Sequence, residues 1–272
     1  MRNLLPLFCL LLCMSCGDDE KSTDTMTPLE FTLSTEVVRN RSEVIDSYLD
    51  VDNCGVFCYY DGFYDPIIED LYLEHQPRGW SHSCALVWED INEQETTFVA
   101  YSPYATAQNG IAIVSDSVYF SLSYQVPTQA ADHPYIMVSY PEVVQEENES
   151  SVLFIMQHPL CVVTLLASDV EIESLEIVDV PTSGVLHLAA NGSLAWEVDS
   201  EKLGEVKITA GDSAMMLPCE LCSTALVRVM LSDGQSSEIS LDGDSWAQNE
   251  RVDYTVAVDS YDAITLHREP AL

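Results

Sequence analysis

Positive charge is what this sequence has least of. Its 272 residues hold ten Lys and Arg against 45 Asp and Glu, a formal net charge of −35. Such a surface repels phosphate backbones and anionic headgroups, which excludes nucleic acid and anionic lipid as charge-driven partners. Long apolar runs are missing too. The greasy stretch at residues 4–14 falls well short of the roughly twenty residues that a membrane-spanning helix needs. No stretch of a dozen residues keeps its apolar side chains at a 3.6-residue period, which argues against an α-helical core. Hydrophobic residues still make up 47% of the chain. The acids are scattered among them, so they are the skin of a folded protein rather than a disordered acidic tail.

What is present begins with the first twenty residues. Arg2 precedes the apolar stretch, Ser15 and Cys16 close it, and Gly17-Asp18-Asp19-Glu20 follow at once. A positive start, a short apolar centre and a small residue before a cysteine describe an export signal. The Ser15-Cys16 junction resembles a bacterial lipobox, which implies a lipid on Cys16 and removal of residues 1–15. It departs from that pattern at Cys13, where Leu is usual. The other reading is an ordinary signal with an incidental cysteine. The acidic residues 17–20 resemble the tether of lipoproteins shown on the outer face of Bacteroidales-type bacteria.

Nine cysteines occur. Beyond the signal and Cys16 there remain Cys54, Cys58, Cys84, Cys161, Cys219 and Cys222. In an exported chain these could pair, but they are too few and too widely spaced for a small stapled scaffold. Their connectivity is not readable from sequence.

The remaining chain reads as short strands. Residues 30–38 alternate, with Phe31, Leu33, Thr35 and Val37 on one face. Residues 51–60 put Cys54, Val56, Cys58 and Tyr60 on one face, Phe57 and Tyr59 on the other, as in a strand buried on both sides. Residues 61–75 read as irregular and acidic. Further strands are expected at 85–88, 96–101, 110–115, 118–126, 134–140, 175–180, 252–258 and 263–267. Residues 152–167 run apolar, broken at His158-Pro159. Asn191-Gly192 and Asp233-Gly234 each sit between alternating segments and predict two-residue hairpins, both of whose turn positions need positive φ. Many short strands with frequent turns argue for an all-β fold of two antiparallel β-sandwich domains. An acidic gap at 142–151 divides them, with linker and anchor at 16–29, one domain at 30–147 and the other at 148–272.

Several segments together resemble one family. They are residues 51–60, Phe98-Val99-Ala100-Tyr101-Ser102-Pro103-Tyr104, the run around Phe154–Leu160, the hairpin ending in Trp196, Met216-Leu217-Pro218, and Trp246 before Tyr254-Thr255-Val256. In order and spacing they are similar to the fimbrillin-like family, pilus-subunit lipoproteins of Bacteroidales-type bacteria. Departures are Gln248-Asn249-Glu250-Arg251, where that family commonly has Gly, and Cys219 after Pro218, where a polar residue is common. The resemblance implies two transthyretin-like sandwiches, a lipid anchor, and polymerisation by donor-strand exchange. It also implies cleavage after the first strand by an arginine-specific protease. Arg41 matches the cut position best, with Arg39 as the second choice; the plain alternative is that both solvate a turn. The chain ends at Leu272, soon after the last strand, with Pro270 interrupting any ladder, so an acceptor without a long donor is expected, as in a tip or accessory subunit.

Candidate chemistry is sparse. Cys219-Glu220-Leu221-Cys222 has redox spacing but lies among strands, whereas a reactive CxxC needs its first thiol at a helix start. A single CxxC does not make a zinc site, and Cys54 and Cys58 have another spacing. Trp80–Cys84 reads as a surface loop, His158 as a core or turn histidine, and Asp242–Ser245 as a turn lacking the later ligands of a calcium loop. Asp116-Ser117-Val118 and Asp212-Ser213-Ala214 resemble short O-glycosylation triplets. No catalytic residue, metal or cofactor is expected. The expected role is a surface lipoprotein and fimbria subunit or accessory, partnered by pilin-like subunits through strand exchange and by the outer membrane through Cys16. The alternative is a non-polymerising surface lipoprotein that binds glycan or a host protein.

Overall fold

A computed structural model of the chain describes residues 29–35, 52–60, 63, 66–77, 79–82, 87–88, 91, 96–115, 118–144 and 151–269. Among these, regular structure is β-strand apart from short 3-10 turns such as Ala130–Asp132. Cys16, Arg39, Arg41 and Cys84 lie outside the described residues.

The largest sheet has the path β1-β10-β8-β5-β2-β3-β4, with β9 also paired to β5. Its strands are β1 (Glu30–Thr35), β2 (Asn53–Tyr59), β3 (Pro66–Gln76), β4 (Gly79–His82), β5 (Thr96–Ser102), β8 (Met137–Ser139), β9 (Glu142–Val144) and β10 (Ser151–Gln157). A second sheet runs β14-β13-β7-β6, built from β6 (Ile111–Val114), β7 (Phe120–Gln125), β13 (Ser183–Leu188) and β14 (Leu194–Val198). A third runs β16-β11-β21-β22, from β11 (Cys161–Ala167), β16 (Ser213–Met216), β21 (Arg251–Val258) and β22 (Ile264–Arg268). The fourth runs β15-β12-β18-β19, from β12 (Ile172–Pro181), β15 (Leu203–Ile208), β18 (Leu226–Leu231) and β19 (Ser236–Ser240). β17 (Cys219–Glu220) pairs with β20 (Ser245–Trp246). The ladders are antiparallel except that β1 pairs with β10, and β11 with β21, in parallel.

The first sheet has two buried faces, which is why β2 and β5 are buried almost without alternation. Cys54, Val56 and Cys58 point into one cluster with Leu73, Phe98 and Phe154. Phe57, Tyr59, Val99 and Tyr101 point the other way, into a cluster shared with Phe120, Leu122 and Leu186 of the second sheet. That second cluster continues without a break into Leu165, Ile177, Val227 and Tyr254 of the third and fourth sheets. The all-β, sandwich-like architecture read from the sequence is therefore the observed one. Strands also cross residues 147/148: β10 hydrogen-bonds to β1 and β8, and β13 to β7.

Two local readings need correction. Residues 61–75 are not an irregular stretch, because β3 occupies much of them. Ile68 and Leu71 both face inward, and the register slips between them. A β-bulge supplies the extra residue and breaks the period-2 signal. Residues 80–82 belong to β4, not to a surface loop. The hairpins fall where Asn191-Gly192 and Asp233-Gly234 predict, but by different geometry. Gly192 has φ +82° and Asn191 a negative φ; Gly192 N–H donates to Ala189 O at 2.9 Å and Ala189 N–H to Ser193 O at 2.9 Å. That is a three-residue loop ending in a left-handed glycine, which relieves Asn191 of positive φ. Gly234, at φ +89°, repeats it between Leu231 and Gln235.

Candidate functional site

The first sheet curls until its two ends meet, and β1 lies at that seam. Among the described residues its ladder runs to one side, to β10, in register from Glu30 opposite Ser151 to Thr35 opposite Met156. Alternation sends Leu29 and Phe31 inward, and Phe31 is 6% exposed. Its ring stacks on Phe154 at 5.9 Å and meets Phe98 edge-on at 6.4 Å. From the other end of the sheet, His82 of β4 meets the same ring edge-on at 5.8 Å. Each such aromatic contact adds about 0.5–1.5 kcal/mol beyond burial. Beside β1, on β10, Val152, Phe154 and Met156 stand opposite Phe31, Leu33 and Thr35, and all three are buried. Among the described residues, the buried Nδ1 of His82 and Nε1 of Trp88 have no hydrogen-bond partner. β1 is thus a strand held by one ladder and by its inward side chains.

Three of the most similar solved structures are candidate cell adhesion proteins of Bacteroides. The one from Bacteroides uniformis has a TM-score of 0.62 at 13% identity, over 91% of this chain and 99% of that one. The one from Bacteroides ovatus has 0.62 at 14%, over 90% and 96%. The one from Bacteroides thetaiotaomicron has 0.52 at 12%, over 90% and 99%. The chain shares their fold. That agrees with the fold implied by the fimbrillin-like resemblance. No protein-family model and no curated protein matches the sequence.

The other residues singled out from the sequence do not come together at one place. Cys54, Cys58, Cys161, Cys219 and Cys222 are free thiols. Burial pushes Cys219 up to about 11 and Cys58 up to about 12, and pushes Cys54 and Cys161 upward as well. Cys222 differs. It is exposed, its sulfur lies 3.3 Å from Thr224 Oγ1, and that contact holds its pKa below the usual thiol value. A thiolate is the reacting form. Alkylation of the native protein at pH 8, read by peptide mapping, should therefore label Cys222 first among these five. Cys54, Cys58 and Cys161 should react only on unfolding. Equal labelling of a buried thiol in the native state would contradict the packing described.

His158 is buried where β10 passes to β11. Its Nδ1 donates to Leu160 O at 3.0 Å and its ring stacks on Tyr135 at 4.4 Å. Asp244 serves the fold. Its carboxylate accepts from Tyr254 Oη at 2.6 Å and from Arg268, whose Nη2 also reaches Glu250 at 2.8 Å. Ser213, in the second triplet, bonds Thr164 Oγ1 at 2.9 Å; Asp116 and Ser117 lie outside the described residues. Among the described residues, no group of three or more His, Cys, Asp or Glu is placed to hold a metal.

Sequence reasoning missed Asp70 and Tyr72 of β3 and saw Tyr104 only as part of a resembling segment; the fold gathers the three beside Tyr101. Asp70 occupies the bulge with φ +49°. The bulge is invisible in a pattern search, because it shifts every later side chain to the opposite face. The one available signal was Ile68-x-x-Leu71-x-Leu73, a period-2 pattern with one extra residue.

Proposed function

We propose that this chain is a cell-surface adhesion or fimbrial protein, carried to the outer membrane by a lipid on Cys16, that assembles by exchange of its first strand once cleavage has released it from that lipid. The observation that carries the reading is β1 itself, an edge strand among the described residues, with Phe31 in the core. Its C-terminal end leads in sequence to Arg39 and Arg41. Cleavage after Arg41, or after Arg39, would free it. Its loss would uncover Val152, Phe154 and Met156. Each such side chain is stabilised by about 1.5–3 kcal/mol when buried. It would also leave one side of β10 without ladder partners, a template for another strand. A replacement strand from a pilin-like subunit recovers both terms. The shared fold with candidate adhesion proteins supports the setting, and the acidic exterior suits a soluble outer surface.

In this reading residues 30–147 and 148–272 are the two sandwich domains, and β10 reaches back to complete the first. Mass spectrometry of the surface-exposed protein tests the exchange. A mature N-terminus at Ser42 within sheared filaments is the expected result. A chain intact from Cys16 inside filaments would make it an anchor subunit instead. An intact chain found in no filament would overturn strand exchange and leave a lone surface lipoprotein.

A further inference from the structure

On the face it shares with Tyr101, β3 carries side chains that strand exchange does not use. Asp70 keeps a left-handed backbone at the bulge, a conformation that Asp tolerates better than most residues with a side chain. The bulge aims its carboxylate at Tyr101, whose hydroxyl donates to Asp70 Oδ1 at 2.7 Å and accepts from Ala105 N–H at 3.2 Å. Tyr101 is fully buried. Its ring fills the space above Gly55, where a Cβ would fall 2.1 Å from ring carbon Cε1. A rigid core residue therefore holds one oxygen of the Asp70 carboxylate.

Beside it, three aromatic rings step from the core to the surface. Tyr101 stacks on Tyr104 at 6.2 Å, and Tyr104 meets Tyr72 edge-on at 5.1 Å. Tyr72 is 42% exposed. The loop bearing Tyr104 is also fixed: its N–H donates to Asn53 Oδ1 at 2.8 Å, and Asn109 Nδ2 donates to its carbonyl at 2.8 Å. Further along the same strand, Gln76 Nε2 donates to Glu74 Oε2 at 2.7 Å. An exposed ring on a rigid support, next to carboxylate and amide groups, matches the two-sided chemistry of a sugar. Its C–H face packs on an aromatic, and its hydroxyls donate to carboxylates. Asp70 and Glu74 would repel an acidic sugar.

We propose that Tyr72, Tyr104 and Asp70 form a binding site for a neutral saccharide. The surface-adhesion reading supplies only the place where the ligand is met. Binding is measured on the intact protein alone, so its failure leaves strand exchange standing, and the reverse also holds.

The test is an array of neutral and acidic oligosaccharides, followed by saturation-transfer NMR with the neutral ones. Saturable binding to a neutral oligosaccharide is expected, with transfer to its ring C–H protons. Tyr72→Ala should weaken it at least about tenfold. Asp70→Asn keeps an acceptor for Tyr101 and tolerates positive φ, and should weaken it at least about fivefold. Both variants should retain the native thermal midpoint to within a few degrees. Three results would each overturn the site: no neutral oligosaccharide bound, undiminished binding by Tyr72→Ala, or a preference for uronic or sialic acids.

Discussion

Phe31→Ala should destabilise the β1 seam by about 3–5 kcal/mol, the usual cost of truncating a buried phenylalanine. The ring touches Phe154, Phe98 and His82, so its removal opens a cavity among partners drawn from three strands. Among the described residues β1 has a ladder on one side only, so the loss should appear first as local detachment. Amide exchange in β1 should accelerate before that in β2 or β5, which pair on both sides. Phe31→Leu keeps most of the volume and should cost roughly 1 kcal/mol. If Phe31→Ala lost less than about 1 kcal/mol by denaturant unfolding, with β1 amides unchanged, Phe31 would not anchor the strand. On the strand-exchange reading the same variant should also take up a competing strand faster, because the resident strand leaves more often.

The second large effect is a dependence on pH set by His158. Burial pushes its pKa down from the ordinary histidine value to about 4, while the bond to Leu160 O opposes the shift. Its Nε2 makes no hydrogen bond among the described residues, so a proton there would have no acceptor. The unfolded chain takes up that proton near pH 6.5; the folded chain resists until about pH 4. The unfolded state therefore binds more protons between these values. The stability that the neutral ring contributes is complete above about pH 6.5 and declines as pH falls through that window. Between pH 7.5 and 4.5 the loss should be about 2–3 kcal/mol. The many carboxylates also titrate near the lower limit, so the measurement is a difference. His158→Gln keeps an N–H donor without titrating. The stability of the wild type minus that of the variant should fall by that amount across the window. A difference independent of pH would mean that the ring is solvated in the fold.

The two residues illustrate how unevenly the chain could be read. Phe31 was visible because an alternating apolar segment predicts its own buried face, whatever it packs against. The same holds for β2, where unbroken apolarity predicted burial on both sides, and for the break at His158-Pro159, where proline ends the ladder. Asp70 and Tyr72 were not visible. A single bulge reversed the faces of β3, and the ring contacts of Tyr72 depend on a loop thirty residues on. The hairpins were legible in position and not in turn type, since a glycine serves either geometry and only the closing hydrogen bonds distinguish them.

By itself, then, the sequence determined the all-β class, the inward faces of most strands, the acidic exterior and the positions of the turns. These follow from local periodicity and from backbone preferences that each residue carries with it. Only the tertiary structure decided that β1 lies parallel to β10, more than a hundred residues later in the chain, with His82 closing on it from the far end of the sheet. It alone decided that Tyr101 fills the space above Gly55 and fixes Asp70. Strand pairing between distant segments depends on which apolar faces remain uncovered once the others have paired. That property belongs to the packed whole and to no single stretch of it.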